Sequence, residues 1–178
     1  QTRGALKKEL QKCLRSKRVV RKSRQSSLKR LGLGKIPDAV SISERPASVE
    51  DRAIPGRSGG DLICSSNKSY IATLVERHSR FVMLVKVDDS KTSTVIAALI
   101  KHAQKLPKEL YKSLTWDRGR EIEDHKQFTL ATDIKVYLCD PYSPWQRGSN
   151  ENTDRLLRQY FPKSTDLSVH RQQKLSSV

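Results

Sequence analysis

The sequence predicts an α/β fold: a mixed five-stranded sheet flanked by helices, preceded by a basic, partly disordered N-terminal arm. Three observations carry this. Short runs rich in β-branched and apolar residues at Asp61 to Cys64, Tyr70 to Glu76 and Phe81 to Val87 are divided by turn residues, the second turn being His78-Ser79-Arg80, and they read as an antiparallel meander. After them, helical and strand-like patterns alternate, for an order βββαβαβα, which places helices on the faces of a sheet. Before them, Arg15 to Lys35 is dense in Lys, Arg and Ser and poor in large apolar residues, a composition that cannot bury a core.

Each element follows in chain order. Leu6, Leu10, Cys13 and Leu14 recur at helical spacing, with Lys7, Lys8 and Lys12 elsewhere on the wheel, so Ala5 to Leu14 reads as a short basic amphipathic helix. Ile36 to Gly56, punctuated by Ser41, Ser43, Pro46 and Pro55, reads as a linker. Residues 1–55 are therefore expected to be arm and linker, 56–168 the core, and 169–178 an atypical tail. Asp61 opens the first strand after two glycines. A helix starts at Ser90 or Ser93, keeps Val95, Ile96, Leu99, Ile100 and Ala103 on one side, and stops before Pro107. Leu114 to Asp117 is the fourth strand, Glu121 to Leu130 a helix, and Ile134 to Cys139 the fifth strand. Pro141 and Pro144 then stiffen a loop that feeds a final helix, capped by Ser149 or Asn150. On that helix Leu156, Leu157 and Tyr160 share one side, and Glu151, Arg155 and Arg158 lie opposite.

Charge narrows the partners. The formal net charge is +16, and residues 1–57 carry 16 Lys/Arg against 5 Asp/Glu. A basic arm on a milder domain fits a polyanion, DNA first, although a ribosomal or membrane-surface protein can share this composition. The longest continuous apolar run is the six residues Val95 to Ile100, too short for a membrane span or a signal peptide. Cys13, Cys64 and Cys139 are odd in number and widely spaced, which argues for a reducing compartment and against a disulfide or zinc framework. The four histidines show no ligand spacing to one another.

Three carboxylates carry the chemistry. Asp61 and Asp117, each at the end of a strand-like run, read individually as turn or cap residues, and Glu151 reads as part of a solvated helix face. Together, two strand ends and a helix N-terminus can supply the oxygen cage that a hard divalent cation requires, and a two-metal site of that kind stabilises both oxygens of an in-line phosphoryl displacement. Around them, Arg147, Arg155, Arg158 and Lys163 are candidates for phosphate contacts. Tyr142 and Trp145 can stack on an unpaired base or pack the loop on the core.

Gly60-Asp61-Leu62-Ile63, Thr73-Leu74-Val75-Glu76-Arg77, Thr115-Trp116-Asp117-Arg118-Gly119 and the run from Asp140 to Pro162, centred on Asn150-Glu151-Asn152-Thr153, carry a resemblance. The chain resembles bacterial insertion-sequence transposases of the IS-thirty type, in the DDE transposase and retroviral-integrase superfamily. The 33 residues between Asp117 and Glu151 match that family's spacing, and the similarity runs from about Arg3 to Leu167. The resemblance implies an RNase H-like sheet that brings Asp61, Asp117 and Glu151 together as catalytic and metal-binding residues. It implies Mg²⁺, with Mn²⁺ as a substitute, in a two-metal site that hydrolyses one strand at a transposon end and then directs the freed 3′-OH at target DNA without a covalent protein intermediate. It further implies homo-oligomers on DNA and a place in the bacterial cytoplasm, at the nucleoid.

The chain departs from the family pattern at Ser58 and Gly59, where many members have Trp and Glu, and at Arg118, where Asn is usual. A cation there is expected to compete with metal. It begins at Gln1 rather than Met, as a fragment or processed form does, and family members carry a helix-turn-helix region upstream of this point. From His170 the tail looks unrelated, as a truncation or frameshift would leave it. Three readings follow: a metal-dependent strand-transfer enzyme, a truncated DNA-binding relic or inhibitor, and an RNase H-like nuclease that cuts without joining.

Overall fold

The computed structural model describes residues 36–46, 54–65, 67–141 and 143–177. The expected helix at Ala5 to Leu14, the basic arm up to Lys35 and the loop residue Tyr142 lie outside the described residues. Within them, strands β1 (Arg57–Cys64), β2 (Tyr70–Glu76) and β3 (Val82–Val87) form the expected meander. Helix α1 (Thr92–Ala103), β4 (Ser113–Trp116), α2 (His125–Thr132), β5 (Lys135–Leu138), α3 (Gly148–Tyr160) and a short α4 (Gln172–Leu175) follow. The five strands make one sheet in the order β3-β2-β1-β4-β5. β1 and β2, and β2 and β3, are antiparallel; β1 and β4, and β4 and β5, are parallel. This is the mixed sheet with flanking helices that the sequence predicts.

The period-2 alternation of strand side chains builds two unlike faces. One buries Leu74, Met83, Val85, Leu114 and Trp116 with Val95, Ile96 and Leu99 of α1 and Phe128 of α2 in the larger core. The other buries Ile63, Ile71 and Leu84 with Leu157 of α3, Phe161, Leu167 and Leu175. Covered on both sides, β2 is apolar almost throughout, with only Tyr70 half-buried.

Several details differ from expectation. β1 begins at Arg57, so Asp61 sits in mid-strand rather than opening it. Phe81 lies outside β3 and is exposed, because the turn is held by Glu76 accepting from the Ser79 N–H and hydroxyl, both at 2.6 Å. The single helix expected over Glu121 to Leu130 is a 3-10 turn at Arg120–Ile122 and then α2, which ends in a left-handed Asp133. On α3 no side chain caps the N-terminus, and Asn150 is buried inside the first turn. Of its three expected apolar anchors only Leu157 is buried; Leu156 is 40% and Tyr160 73% exposed.

Both outer strands carry a bonded neighbour. The Val40 carbonyl accepts from the Leu138 N–H of β5 at 2.8 Å, and Ile36 and Ile42 of the same stretch are buried. On β3, the Gln172 amide behaves as a strand residue would: its oxygen accepts from the Lys86 N–H and its nitrogen donates to the Leu84 carbonyl, each at 2.8 Å. Among the described residues no helix is long and apolar enough to cross a membrane.

Candidate active site

The sheet register explains why two aspartates far apart in sequence meet. β1 and β4 pair in parallel with Gly59 opposite Thr115, so a further two residues along each strand bring Asp61 and the residue after β4, Asp117, level on the same face. On its other side Asp61 is opposite Thr73 of β2. The row Thr73, Asp61, Asp117 therefore runs across the centre of the sheet, on the face that α3 covers.

Two glycines let the neighbouring groups close in. A Cβ on Gly60 would lie 2.1 Å from the Trp116 ring on the opposite face, and one on Gly59 would lie 2.4 Å from Oδ1 of the buried Asn150. Gly60 thus seats β1 against the core, and Gly59 lets the first turn of α3 down onto the strand.

Over this row lies Arg147, at the end of the 3-10 turn Pro144–Arg147 that leads into α3. Its guanidinium forks between the aspartates: one terminal nitrogen donates to Asp117 Oδ2 at 2.6 Å and the other pairs with Asp61 Oδ2. Both carboxylates are largely withdrawn from solvent, their side chains 19% and 31% exposed. Burial pushes the Asp117 carboxyl up to about 6, with Arg147 opposing and the charges of Asp61 and Glu121 adding to the rise. Burial disfavours the Arg147 charge, but Asp117 and Asp61 outweigh it and hold the guanidinium more firmly protonated.

Asp154, one helical turn beyond Glu151, completes the acidic row. It accepts from the Thr73 hydroxyl at 3.0 Å, and Thr73 lies opposite Asp61 in the sheet. Burial first, then the Asp61 charge, raises its pKa. Sequence reasoning missed Asp154; the signal was its i, i+3 relation to Glu151 on one helix face.

The other expected site residues differ in their surroundings. Glu151 is half-buried in the first turn of α3, and among the described residues no group of three or more His, Cys, Asp or Glu side chains is arranged to hold a metal ion. Arg158 is used structurally, donating to the Cys64 carbonyl at 2.8 Å. Arg155 and Lys163 are exposed, and Trp145 is 74% exposed rather than packed on the core. Arg118, expected to compete with metal, donates instead to the Cys139 carbonyl at 2.9 Å. The cation paired with both aspartates is Arg147. In kind, the donors fit a hard divalent ion: two carboxylate oxygens converge on one positive centre.

Beside the row opens a cleft of about 680 Å³, lined by Arg45, Arg77, Arg80 and Arg147 together with Ser149 and Asn152. Arg45 donates to the Thr115 hydroxyl and Arg80 to the Ser149 hydroxyl, each at 3.2 Å. Four guanidinium groups, with amide and hydroxyl side chains between them, make a surface for phosphate oxygens.

A five-stranded mixed sheet whose central parallel strands bring two aspartates level beneath a helix bearing Glu151 and Asp154 is an integrase-type α/β core. The family model for the integrase core domain matches residues 53–144. The chain belongs to that family, among the insertion-sequence transposases of the IS30 type. It is 47% identical, over 177 residues, to the transposase for insertion sequence element IS1086 of Cupriavidus metallidurans, covering 99% of this chain and 52% of that relative. It is also 47% identical, over 143 residues, to transposase InsI for insertion sequence element IS30A of Escherichia coli, covering 80% of this chain and 37% of that relative. The chain therefore spans about half the length, or less, of these relatives. Among solved structures it is similar in fold to a chain of the simian T-cell lymphotropic virus intasome in complex with the PP2A regulatory subunit B56 gamma. The TM-score is 0.53 at 19% identity, over 70% of this chain and 47% of that one.

Proposed function

We propose that this chain is the catalytic core of an insertion-sequence transposase, a polynucleotidyl transferase that cleaves a DNA strand and joins the resulting 3′-OH to target DNA. The observation that carries the reading is the convergence of Asp61 and Asp117 on one positive centre beside an arginine-lined cleft. Asp61, Asp117 and Glu151 would hold Mg²⁺ or Mn²⁺. Bound there, the cations would supply the Lewis acidity that makes water or a 3′-OH nucleophilic near neutral pH. The chain's own residues do the rest. Arg45, Arg77 and Arg80 hold phosphates of the strand. Trp145, exposed at the cleft, offers a face on which an unpaired base can stack. Assembly of several copies on the DNA ends belongs to the same reading.

The test is cleavage and joining of a labelled, pre-nicked duplex with Mg²⁺ or Mn²⁺, comparing the chain with Asp117→Asn, Glu151→Gln and Asp154→Asn. Loss of products in the first two, with DNA affinity retained, supports the reading. Loss in Asp154→Asn with activity kept in Glu151→Gln makes Asp154 the third carboxylate. Products without joining identify a nuclease. A second reading, DNA binding without chemistry, is favoured by Arg147 at the carboxylate junction, where it engages both aspartates. It predicts binding and no products from any of the four proteins.

A further inference from the structure

We propose that Arg147 is a substrate-sensitive gate: its guanidinium keeps the place of a divalent cation between Asp61 and Asp117, and gives it up when a nucleic-acid phosphate enters the cleft alongside. This rests on the reading of the two aspartates as cation ligands and adds how that site is regulated.

Three features of the side chain carry the inference. Its two terminal nitrogens are spent on two different carboxylates, so the oxygens a cation would need are both engaged, while Nε is buried without a hydrogen-bond partner. A guanidinium has five donors in a rigid fork, and a phosphate can take two of them side by side, which the present arrangement does not do. The same residue also lines the arginine cleft, so it belongs to both sites at once.

Two positive groups cannot share this junction in a part-buried setting without strong repulsion. A phosphate in the cleft offers Arg147 an alternative anion of equal geometric fit. Moving the guanidinium leaves the facing oxygens of Asp61 and Asp117 close together and without their cationic partner, the arrangement a divalent cation takes up. The coupling is reciprocal: whatever factor the phosphate gains for the cation, the cation gains for the phosphate. Cation affinity in the free chain is reduced by the fraction of molecules in which the gate is open. Reactive metal would then be loaded only where DNA is already in place.

The experiment measures Mn²⁺ binding from the electron paramagnetic resonance signal of the free ion, with Asp117→Asn plus duplex as the blank for Mn²⁺ held by DNA. In the unsubstituted chain a short DNA duplex should tighten Mn²⁺ binding by at least about tenfold. Arg147→Gln should bind Mn²⁺ that tightly without duplex and gain nothing further from it. Asp117→Asn in the Arg147→Gln background should remove the tight site. Unchanged affinity in Arg147→Gln and no effect of duplex, with Asp117→Asn still abolishing binding, overturns the gate and leaves the cation site standing. Absence of binding in every protein, Arg147→Gln included, overturns the cation site and the gate with it. The duplex effect is read on the unsubstituted chain, so it decides the matter even if the variant folds poorly.

Discussion

Glu76 shows how a single buried charge organises a turn. Its carboxylate accepts from the Ser79 N–H and hydroxyl and, at 3.2 Å, from the Gly56 N–H, tying the β2–β3 turn to the entry of β1. Burial tends to raise its pKa, but hydrogen bonds from Ser79, His78 and Gly56 outweigh that and hold the carboxyl below its ordinary 4.5. A depressed folded-state value means stabilisation that is complete above about 4.5 and lost as pH falls through the lowered value. Glu76→Gln should therefore cost about 1–3 kcal/mol near neutrality, and its urea midpoint should converge on that of the unsubstituted chain in acid. A constant gap between the two at every pH would refute this account. Gly60→Ala should cost a further about 1–3 kcal/mol by driving a methyl into the Trp116 ring, with Trp116→Leu recovering part of the loss in denaturant titrations. At this scale the sequence was informative about Asp61 and Asp117, since residue type and spacing mark them. It offered Arg147 as a phosphate contact but not as the partner of the two aspartates, because what fixes that side chain is contact with residues 30 and 86 positions away.

At the scale of elements, α3 is the piece that local pattern describes least well. Its periodicity offers Leu156, Leu157 and Tyr160 as a shared apolar side, yet only Leu157 and the following Phe161 reach the second core. The helix is aimed instead by the close approach of Asn150 to Gly59 and by the hydrogen bond of Asp154 with Thr73, long-range contacts that no hydrophobic count registers. So thin an anchorage gives a sharp expectation: Leu157→Ala should cost about 2–5 kcal/mol. Amide exchange should then rise across Gly148–Tyr160 while β1, β2 and β3 keep their protection; loss of protection throughout the sheet would show that α3 is integral to the fold rather than docked on it. The meander, α1 and the alternation after it were all legible, because their burial follows simple periods of 2 and 3.6. The stretch from Ile36 to Pro46 was not. Its serines and prolines mark a connection, and only the parallel bridge of Ser41 to Leu138 shows that it lies along β5.

For the molecule as a whole, charge sets the terms of binding. With a net +16 and an arginine-lined cleft, DNA affinity should fall steeply with salt, with a log–log slope of about −0.9 for each phosphate neutralised. Arg80→Ala should reduce that slope by about one while leaving fold and melting temperature unchanged, and an unaltered slope would remove the cleft from the binding surface. The sheet's two borders have a different consequence. An outer strand with open amide and carbonyl groups is a template on which another chain can grow, and here the Gln172 amide sits on β3 in the position such a chain would take. Gln172→Ala, or Leu175→Asp to lift α4 away, should uncover that border and produce concentration-dependent, thioflavin-binding aggregates in a protein whose sheet is otherwise intact. The tail from His170, expected to be unrelated to the family, falls within the 177 residues that align with the Cupriavidus relative, and its Gln172 occupies the sheet border that a second copy would otherwise extend.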